Sequence, residues 1–143
     1  MDSELVEILR VEDNPNDVEL TMHALKRNNV ANKVKVLRDG EEAIEYLFGD
    51  GADSGRRPKC ILLDLKLPKI SGLEVLQRIK TEQSTKFIPV IMLTSSREEQ
   101  DVVNSYEYGA NSYITKPVDF DQFNDAINQI GYYWLLLNEY PED

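Results

Sequence analysis

The stretch I-L-L-D-L-K-L-P at residues 61–68 carries one acidic residue, Asp64, at the end of an otherwise apolar run. Short runs of Val, Ile and Leu that are apolar almost throughout are typical of strands covered on both faces of a parallel sheet. Three other runs lead to polar side chains: I-L-R-V-E-D to Glu12 and Asp13, P-V-I-M-L-T to Thr94, and S-Y-I-T-K-P to Lys116. We therefore expect four strand ends, including the one that carries Asp64, to converge.

Short apolar runs alternate with segments of helical periodicity along the chain. This alternation is the pattern of βα units around a parallel sheet. Five strands are predicted, at residues 5–11, 33–38, 60–63, 89–94 and 112–115. The sequence thus predicts an α/β, doubly wound parallel sheet, and the 143 residues of the chain fit a single domain.

Each predicted helix is preceded by a start signal. A capping side chain stands three residues before an acid or an amide in four pairs: Asp39 with Glu42, Ser71 with Glu74, Ser96 with Glu99, and Asp119 with Gln122. The first helix has Asn14 as its cap and Pro15 at its first position, where the missing N–H costs little. All five helices therefore have a predicted N-terminus.

The composition disfavours several classes of function. A net charge of −10 and a pI near 4.6 disfavour contact with nucleic acid phosphates and anionic lipid, because both draw on Lys and Arg. No apolar run approaches the roughly 20 residues of a membrane span. The N-terminus M-D-S-E lacks the basic region of a secretory signal, so we expect a cytoplasmic protein. The single cysteine, Cys60, begins an apolar strand and is expected to be buried and unreactive.

The strand-end side chains predict a metal site. The crevice of a doubly wound sheet lies beyond the carboxyl ends of its strands. Three carboxylates gathered there, from Glu12, Asp13 and Asp64, would repel one another unless a cation neutralised them. Mg²⁺ prefers such oxygen ligands and often shares them with a phosphate, whereas no His or Cys cluster favours zinc. We therefore expect Mg²⁺.

The same side chains suit phosphoryl transfer. A metal ion, the Lys116 ammonium and the Thr94 hydroxyl together could bind the three equatorial oxygens of a phosphoryl group. A carboxylate can attack phosphorus to form an acyl phosphate. Asp64 is the predicted nucleophile.

The motifs E-D-N-P, D-L-K-L-P, L-T-S-S and Y-I-T-K-P resemble the receiver domain of two-component response regulators over about residues 5–130. The resemblance implies a flavodoxin-like (βα)5 fold with strand order 2-1-3-4-5. It also implies that Asp64 is the phosphoacceptor, Asp13 a direct Mg²⁺ ligand, Glu12 a ligand through water, and the backbone carbonyl of Lys66 the third protein ligand.

By the same resemblance, Lys116 pairs with a phosphoryl oxygen, Thr94 hydrogen bonds to it, and Tyr113 is the aromatic switch. Phosphorylation would draw the Thr94 hydroxyl toward Asp64 and vacate space for the Tyr113 ring. The implied protein is a response regulator that accepts phosphate from a sensor histidine kinase and is not a conventional enzyme. Its downstream target is not identified by the sequence.

One residue departs from the usual pattern of this family. Arg10 interrupts the first strand where an apolar residue is usual. We expect its stem to cross apolar surface and its guanidinium to reach solvent or an acid. The Lys66 side chain is expected to point to solvent. Residues 49–58, with three glycines and a proline, are predicted to form an exposed loop.

The C-terminal segment is unusually aromatic and apolar. Residues 131–140 read G-Y-Y-W-L-L-L-N-E-Y, within a predicted extended helix over about residues 119–140. One helical stripe cannot bury all of these side chains against the sheet, so a homodimer through this region is our hypothesis. With the long loop and the opening V-E-D-N-P-N-D-V-E-L-T, the segment is similar to the phytochrome-associated single-domain regulators, which suggests a phytochrome-type kinase as partner.

Two other functions stay open. A receiver-like module that binds partners without phosphorylation usually lacks an acid of the metal site, the acceptor or the lysine, and this chain has all of them. A phosphatase of the haloacid dehalogenase type also uses a strand-end Asp nucleophile. Such enzymes need a second Asp two positions later, where Lys66 stands. A flavodoxin-like cofactor carrier is disfavoured, because no glycine-rich loop follows the first strand.

Overall fold

The computed structural model of the protein describes residues 8–27, 34–49 and 57–116. Strands and helices alternate along these ranges: β1 Ile8–Val11, α1 Pro15–Arg27, β2 Val34–Leu37, α2 Gly40–Phe48, β3 Cys60–Leu63, α3 Gly72–Thr81, β4 Val90–Thr94, α4 Glu99–Glu107 and β5 Ser112–Thr115. The strands form one parallel sheet in the order β2-β1-β3-β4-β5. The predicted fold and strand order are confirmed. The predicted helix after Asp119, most of the 49–58 loop and the C-terminal segment lie outside the described residues.

The three central strands are buried at every position, which explains their continuous apolar sequences. On one face of the sheet, alternate residues of β1, β3 and β4 pack against α2 and α3; this core includes Leu9, Val11, Ile61, Leu63, Val90, Met92, Ala43, Leu47, Val75 and Ile79. Cys60 is buried, as predicted. None of the helices within the described ranges is long and apolar enough to cross a membrane.

The strand register brings the polar strand ends together. Val11 of β1 is paired with Leu63 of β3, so the next residues, Glu12 and Asp64, lie side by side at the carboxyl edge. The backbone N–H of Asp64 donates to the Val11 carbonyl at 3.1 Å, which extends the ladder by one residue. The crevice expected at the carboxyl ends of the strands therefore lies above β1 and β3.

Three of the predicted helix caps are present. Ser71 and Glu74 form a reciprocal capping box at the start of α3. The Asp39 side chain accepts from the backbone N–H of Glu42 at the start of α2. The Asn14 side chain accepts from the N–H groups of the first turn of α1, at 2.8 and 3.3 Å. These caps satisfy donors that would otherwise lack partners at each helix start.

The fourth cap prediction was wrong. The helix α4 begins at Glu99, with Glu98 as a cap residue that makes no side-chain cap hydrogen bond. Ser96 is buried, and its hydroxyl donates to the Asp101 carboxylate and accepts from the Glu98 N–H. Ser96 therefore closes the loop between β4 and α4, and its hydroxyl does not bond to the N–H of Glu99 as a cap would.

The loop after β3 is packed tightly against α3. Gly72, the first residue of α3, donates its N–H to the Leu65 carbonyl at 2.7 Å. A Cβ atom at Gly72 would lie 2.1 Å from the backbone oxygen of Asp64. The close approach requires glycine, and it holds the backbone that carries Asp64.

Candidate functional site

Three carboxylates meet at the carboxyl edge of the sheet. Glu12 and Asp13 follow β1, Asp64 follows β3, and one oxygen from each lies within 4.8 Å of the others. Glu12 is 1% exposed and Asp64 is 7% exposed, whereas Asp13 is exposed. Two of the three carboxylates are therefore buried, and the third, that of Asp13, faces solvent. Sequence reasoning predicted all three residues.

Lys116 brings a cation to these acids from the end of β5. Its Nζ lies 2.7 Å from Glu12 Oε1, 2.7 Å from Asp17 Oδ2 and 3.4 Å from Asp64 Oδ2. Lys116 itself is buried. The lysine thus contacts Asp64, as expected, but its shorter contacts are with Glu12 and Asp17.

Sequence reasoning missed Asp17. The residue lies in the first turn of α1, and its side chain is 32% exposed. The signal was present in E-D-N-P-N-D, because a helix that begins directly after the carboxyl end of β1 holds its first turn close to the crevice. An acid in that turn is normally explained by the helix dipole alone.

Arg10 lies within the interior, and its guanidinium reaches an acid, one of the two outcomes that the sequence predicts. Its Nη2 donates to Glu12 Oε1 at 2.6 Å, so the acid is confirmed. The residue is 0% exposed, so the guanidinium contacts the acid within the interior and not at the surface. Nη1 donates to the carbonyls of Val11 and Leu62, and Nε donates to Thr21 Oγ1 at 3.3 Å. These acceptors offset the cost of burying a charge in the sheet.

The predicted switch residues lie on adjacent strands. Thr94 ends β4, is 1% exposed, and accepts a hydrogen bond from the Ser96 N–H at 3.4 Å. Tyr113 lies on β5, paired with Met92, and its hydroxyl donates to the Ser96 carbonyl at 3.0 Å. Both side chains therefore contact the backbone of one residue, Ser96, in the loop between β4 and α4.

Several contacts stabilise the ionised form of Asp64. Burial alone would raise the pKa of this carboxyl. The neighbouring Glu12 carboxyl, the charge of Lys116, the Thr94 hydroxyl and the Lys66 N–H, which donates to Asp64 Oδ1, together outweigh burial and lower the pKa. Asp64 is thus held as a carboxylate. The Lys66 side chain is exposed, as predicted.

The pKa values of Glu12 and Lys116 are also shifted, by burial and by the charged groups around them. Burial raises the pKa of Glu12, and the nearby Asp64 adds to this effect, so the opposing contacts with Arg10 and Lys116 do not restore the ordinary value. Burial alone would lower the pKa of Lys116, but its hydrogen bonds to Asp17 and Glu12 outweigh burial and raise the pKa. Lys116 therefore stays charged in the crevice.

The donor set fits a hard divalent cation. Asp13 and Asp64 offer carboxylate oxygens beside each other, and this oxygen-only set is the kind that Mg²⁺ or Mn²⁺ prefers. Glu12 Oε1 already accepts from both Arg10 and Lys116. Its Oε2 accepts from the Asn14 N–H at 3.2 Å and has room for one more donor, such as a metal-bound water.

A parallel sheet in this order, with these side chains at its carboxyl edge, is the arrangement of a receiver domain. The family model described as the response regulator receiver domain matches residues 8–128. The chain belongs to this family and is a response regulator receiver of two-component signalling. Receiver domains are signalling modules and not conventional enzymes.

Two curated relatives extend over most of the chain. It is 38% identical over 134 residues to the probable methanogenesis regulatory protein FilR2 of Methanothrix harundinacea, which covers 94% of this chain and 86% of that protein. It is 40% identical over 129 residues to the response regulator Rcp1 of Synechocystis sp., which covers 90% of this chain and 88% of Rcp1.

Solved structures of phytochrome-associated regulators are similar to this one. The phosphorylated cyanobacterial phytochrome response regulator RcpA has a TM-score of 0.82 at 39% identity, over 96% of this chain and 99% of that chain. The Mn²⁺-bound form of Rcp1 has a TM-score of 0.80 at 37% identity, over 96% and 99%. The bacteriophytochrome response regulator AtBRR has a TM-score of 0.70 at 54% identity, over 94% and 99%. The predicted resemblance to the phytochrome-associated group is confirmed.

Proposed function

We propose that Asp64 accepts a phosphoryl group from the phosphohistidine of a sensor histidine kinase. The observation that carries this proposal is the environment of Asp64. Its carboxylate is buried, its pKa is lowered, and it lies beside Asp13 with the Lys116 ammonium at 3.4 Å. A carboxylate that is ionised and flanked by a cation and a metal site is suited to attack on phosphorus.

In the proposed reaction, a carboxylate oxygen of Asp64 forms a bond to phosphorus while the bond between phosphorus and the donor imidazole breaks. The imidazole leaves with that electron pair. The Lys66 N–H donates to Asp64 Oδ1 at 3.4 Å and so orients the carboxylate. Lys116 and the Thr94 hydroxyl would bind phosphoryl oxygens, which gain negative charge during transfer.

Mg²⁺ would be held by Asp13, Asp64 and the backbone carbonyl of Lys66, and by Glu12 through a water. When bound, the ion supplies neutralising charge to the phosphoryl oxygens. The family relationship supports this assignment, because a related receiver has been solved with Mn²⁺ bound.

The output proposed for phosphorylation is a change in the loop between β4 and α4. The Thr94 hydroxyl would move toward the phosphoryl group on Asp64, and the Tyr113 ring would enter the space it leaves. The contacts of both side chains with Ser96 support this coupling. The face formed by α4 and β5 would then present a different surface to a partner protein.

The proposed input is a phytochrome-type histidine kinase, because several similar structures are those of phytochrome or bacteriophytochrome response regulators. The single-domain organisation, the extended helix over about residues 119–140 and the homodimer through it stay predictions from sequence. A cytoplasmic location is expected for a partner of such a kinase. The described residues do not identify a downstream target.

The test is incubation with Mg²⁺ and acetyl phosphate, followed by intact mass measurement. The wild type should gain one phosphoryl group and Asp64→Asn none. Asp39→Asn is the matched control: it makes the same substitution at another strand end, where Asn also serves as a helix cap, and it should behave as wild type. Failure of the wild type to gain mass, or equal gain by Asp64→Asn, would contradict the proposal. Continuous release of phosphate from unrelated monoesters would instead indicate a phosphatase.

A further inference from the structure

Arg10 is a charged residue in the middle of the sheet. It lies on β1, between β2 and β3, and its partners in the register are Val36 and Leu62. The side chain is 0% exposed and donates to four acceptors. Burying a guanidinium costs free energy even when it is paired, and an apolar residue at position 10 would avoid that cost. The presence of arginine at this position therefore needs a reason other than stability.

The partner of Arg10 belongs to the candidate metal site. Nη2 lies 2.6 Å from Glu12 Oε1, and a Glu12 oxygen lies within 4.8 Å of oxygens of both Asp13 and Asp64. Arg10 therefore places a permanent positive charge, buried from solvent, in direct contact with one acid of this group. In this weakly screened interior, such a charge acts strongly on an ion bound at the mouth.

The charges of the crevice can be counted. Among the residues that the structure describes, four acidic side chains meet two cations, which gives an excess of two negative charges when all four acids are ionised: Glu12, Asp13, Asp17 and Asp64 against Arg10 and Lys116. The excess of two negative charges equals the charge of one divalent cation. With a neutral residue in place of Arg10, the excess would be three, and the acids would repel one another more strongly without metal.

We infer that Arg10 is a built-in counter-ion that keeps the acidic site assembled without metal and thereby weakens its binding of divalent cations. It is a positioning residue, which acts through Glu12 and through its charge. The inference rests on the proposed metal site. It adds that this protein binds Mg²⁺ less tightly than the acids alone would, so that occupancy responds to the Mg²⁺ concentration.

The experiment measures Mg²⁺ binding by isothermal titration calorimetry on the full chain at fixed pH and salt. Arg10→Met retains an unbranched stem and removes the charge, and we expect it to bind Mg²⁺ roughly tenfold tighter than wild type, since a fixed cation near the ion is removed. In thermal unfolding, Mg²⁺ should raise the Tm of Arg10→Met more than that of wild type.

Two controls separate charge from packing. Arg10→Lys keeps the charge but loses the planar fork, so it should lose stability while its Mg²⁺ affinity stays near that of wild type. Thr21→Val removes the acceptor of the Arg10 Nε hydrogen bond without a change of charge, and it should also leave Mg²⁺ affinity unchanged. A purely structural role for Arg10 would lower stability in all three variants without tighter Mg²⁺ binding in Arg10→Met.

The outcomes are distinguishable. If wild type binds Mg²⁺ and Arg10→Met binds it equally or more weakly, the inference is overturned and the metal site stands. If neither binds Mg²⁺, the metal site of the proposed function is overturned together with the inference. Should Arg10→Met not fold, Arg10→Gln removes the same charge and keeps a donor for the carbonyls of Val11 and Leu62, and the same tightening is expected.

Discussion

The Lys116 ammonium lies 2.7 Å from the Asp17 carboxylate on α1, closer than the 3.4 Å that separates it from Asp64. Asp17 therefore competes with Asp64 for the cation that the proposed reaction uses. Asp17 is partly exposed, so this contact can be broken at less cost than one between fully buried charges. The geometry suggests a lysine that changes partners when a phosphoryl group arrives.

Asp17→Asn should speed phosphorylation by acetyl phosphate at saturating Mg²⁺ several-fold. The substitution frees Lys116 for Asp64 and also removes a negative charge that repels the anionic donor. The rate is read from a time course of intact mass. Glu19→Gln is the control, because it makes the same change of charge at an exposed position of the same helix. An unchanged or slower rate in Asp17→Asn would contradict the competition.

The two buried carboxyls should affect stability in opposite directions as pH falls. The pKa of Asp64 is lowered, because its partners outweigh burial, so its contribution to the free energy of unfolding is complete above the ordinary value of about 4 and is lost as pH falls through the lowered pKa. The pKa of Glu12 is raised by burial, so the folded state binds this proton more readily. The contribution of Glu12 is therefore lost as pH rises through the raised pKa.

Urea unfolding in metal-free buffer, from about pH 3 to pH 7, tests these signs. Relative to Asp64→Asn, the wild type should lose free energy of unfolding as pH falls. Relative to Glu12→Gln, the wild type should gain free energy of unfolding as pH falls. Parallel pH profiles for all three proteins would show that neither carboxyl is shifted.

Cys60 should be unreactive in the folded protein. Burial raises the pKa of its thiol to about 12, so almost none is present as thiolate near neutral pH. Labelling by an aromatic disulfide reagent should be slow in buffer and fast in urea. The single cysteine makes this reaction a direct measure of opening of the sheet. Rapid labelling of the folded protein would be inconsistent with the buried position.

Gly72→Ala should destabilise the protein and disturb Asp64. The new Cβ would lie 2.1 Å from the Asp64 backbone oxygen, so α3 or the loop after β3 must move, at a cost of about 1 to 3 kcal/mol or more. Ser71→Ala, one residue earlier, removes the helix cap and should cost about 1 kcal/mol. Chemical unfolding and the phosphorylation rate are measured together. Only Gly72→Ala should lower both; a normal rate in this variant would argue against the close packing.

Tyr113→Phe should loosen the loop between β4 and α4. The substitution keeps the ring but removes the hydrogen bond to the Ser96 carbonyl, worth about 1 kcal/mol. Amide hydrogen exchange of a peptide covering residues 95–101 should become faster. Tyr106→Phe, at an exposed ring on α4, is the control and should leave exchange unchanged. Equal exchange in Tyr113→Phe and wild type would exclude the coupling through this bond.

Much of the architecture could be predicted because its causes are local. The apolar runs determine the strands, and the capping residues Asn14, Asp39 and Ser71 lie at the predicted helix starts. The Ser96 prediction was wrong because its hydroxyl has a better partner in Asp101, a residue that becomes available only when the loop folds. A local cap pattern carries no information about such competition.

The order of strands and helices follows from the pattern of residues alone, and so does the position of five polar residues at strand ends: Glu12, Asp13, Asp64, Thr94 and Lys116. Parallel pairing then brings these ends to one edge, and this follows from the pattern. The partners of each charged side chain, in contrast, are set by the packing of the folded chain. The contact of Lys116 with Asp17, and the burial of Arg10 against Glu12, depend on how closely α1 and the neighbouring strands approach. Coulomb energies in a buried crevice change steeply with distances of a few ångströms, which a pattern of residue types does not specify.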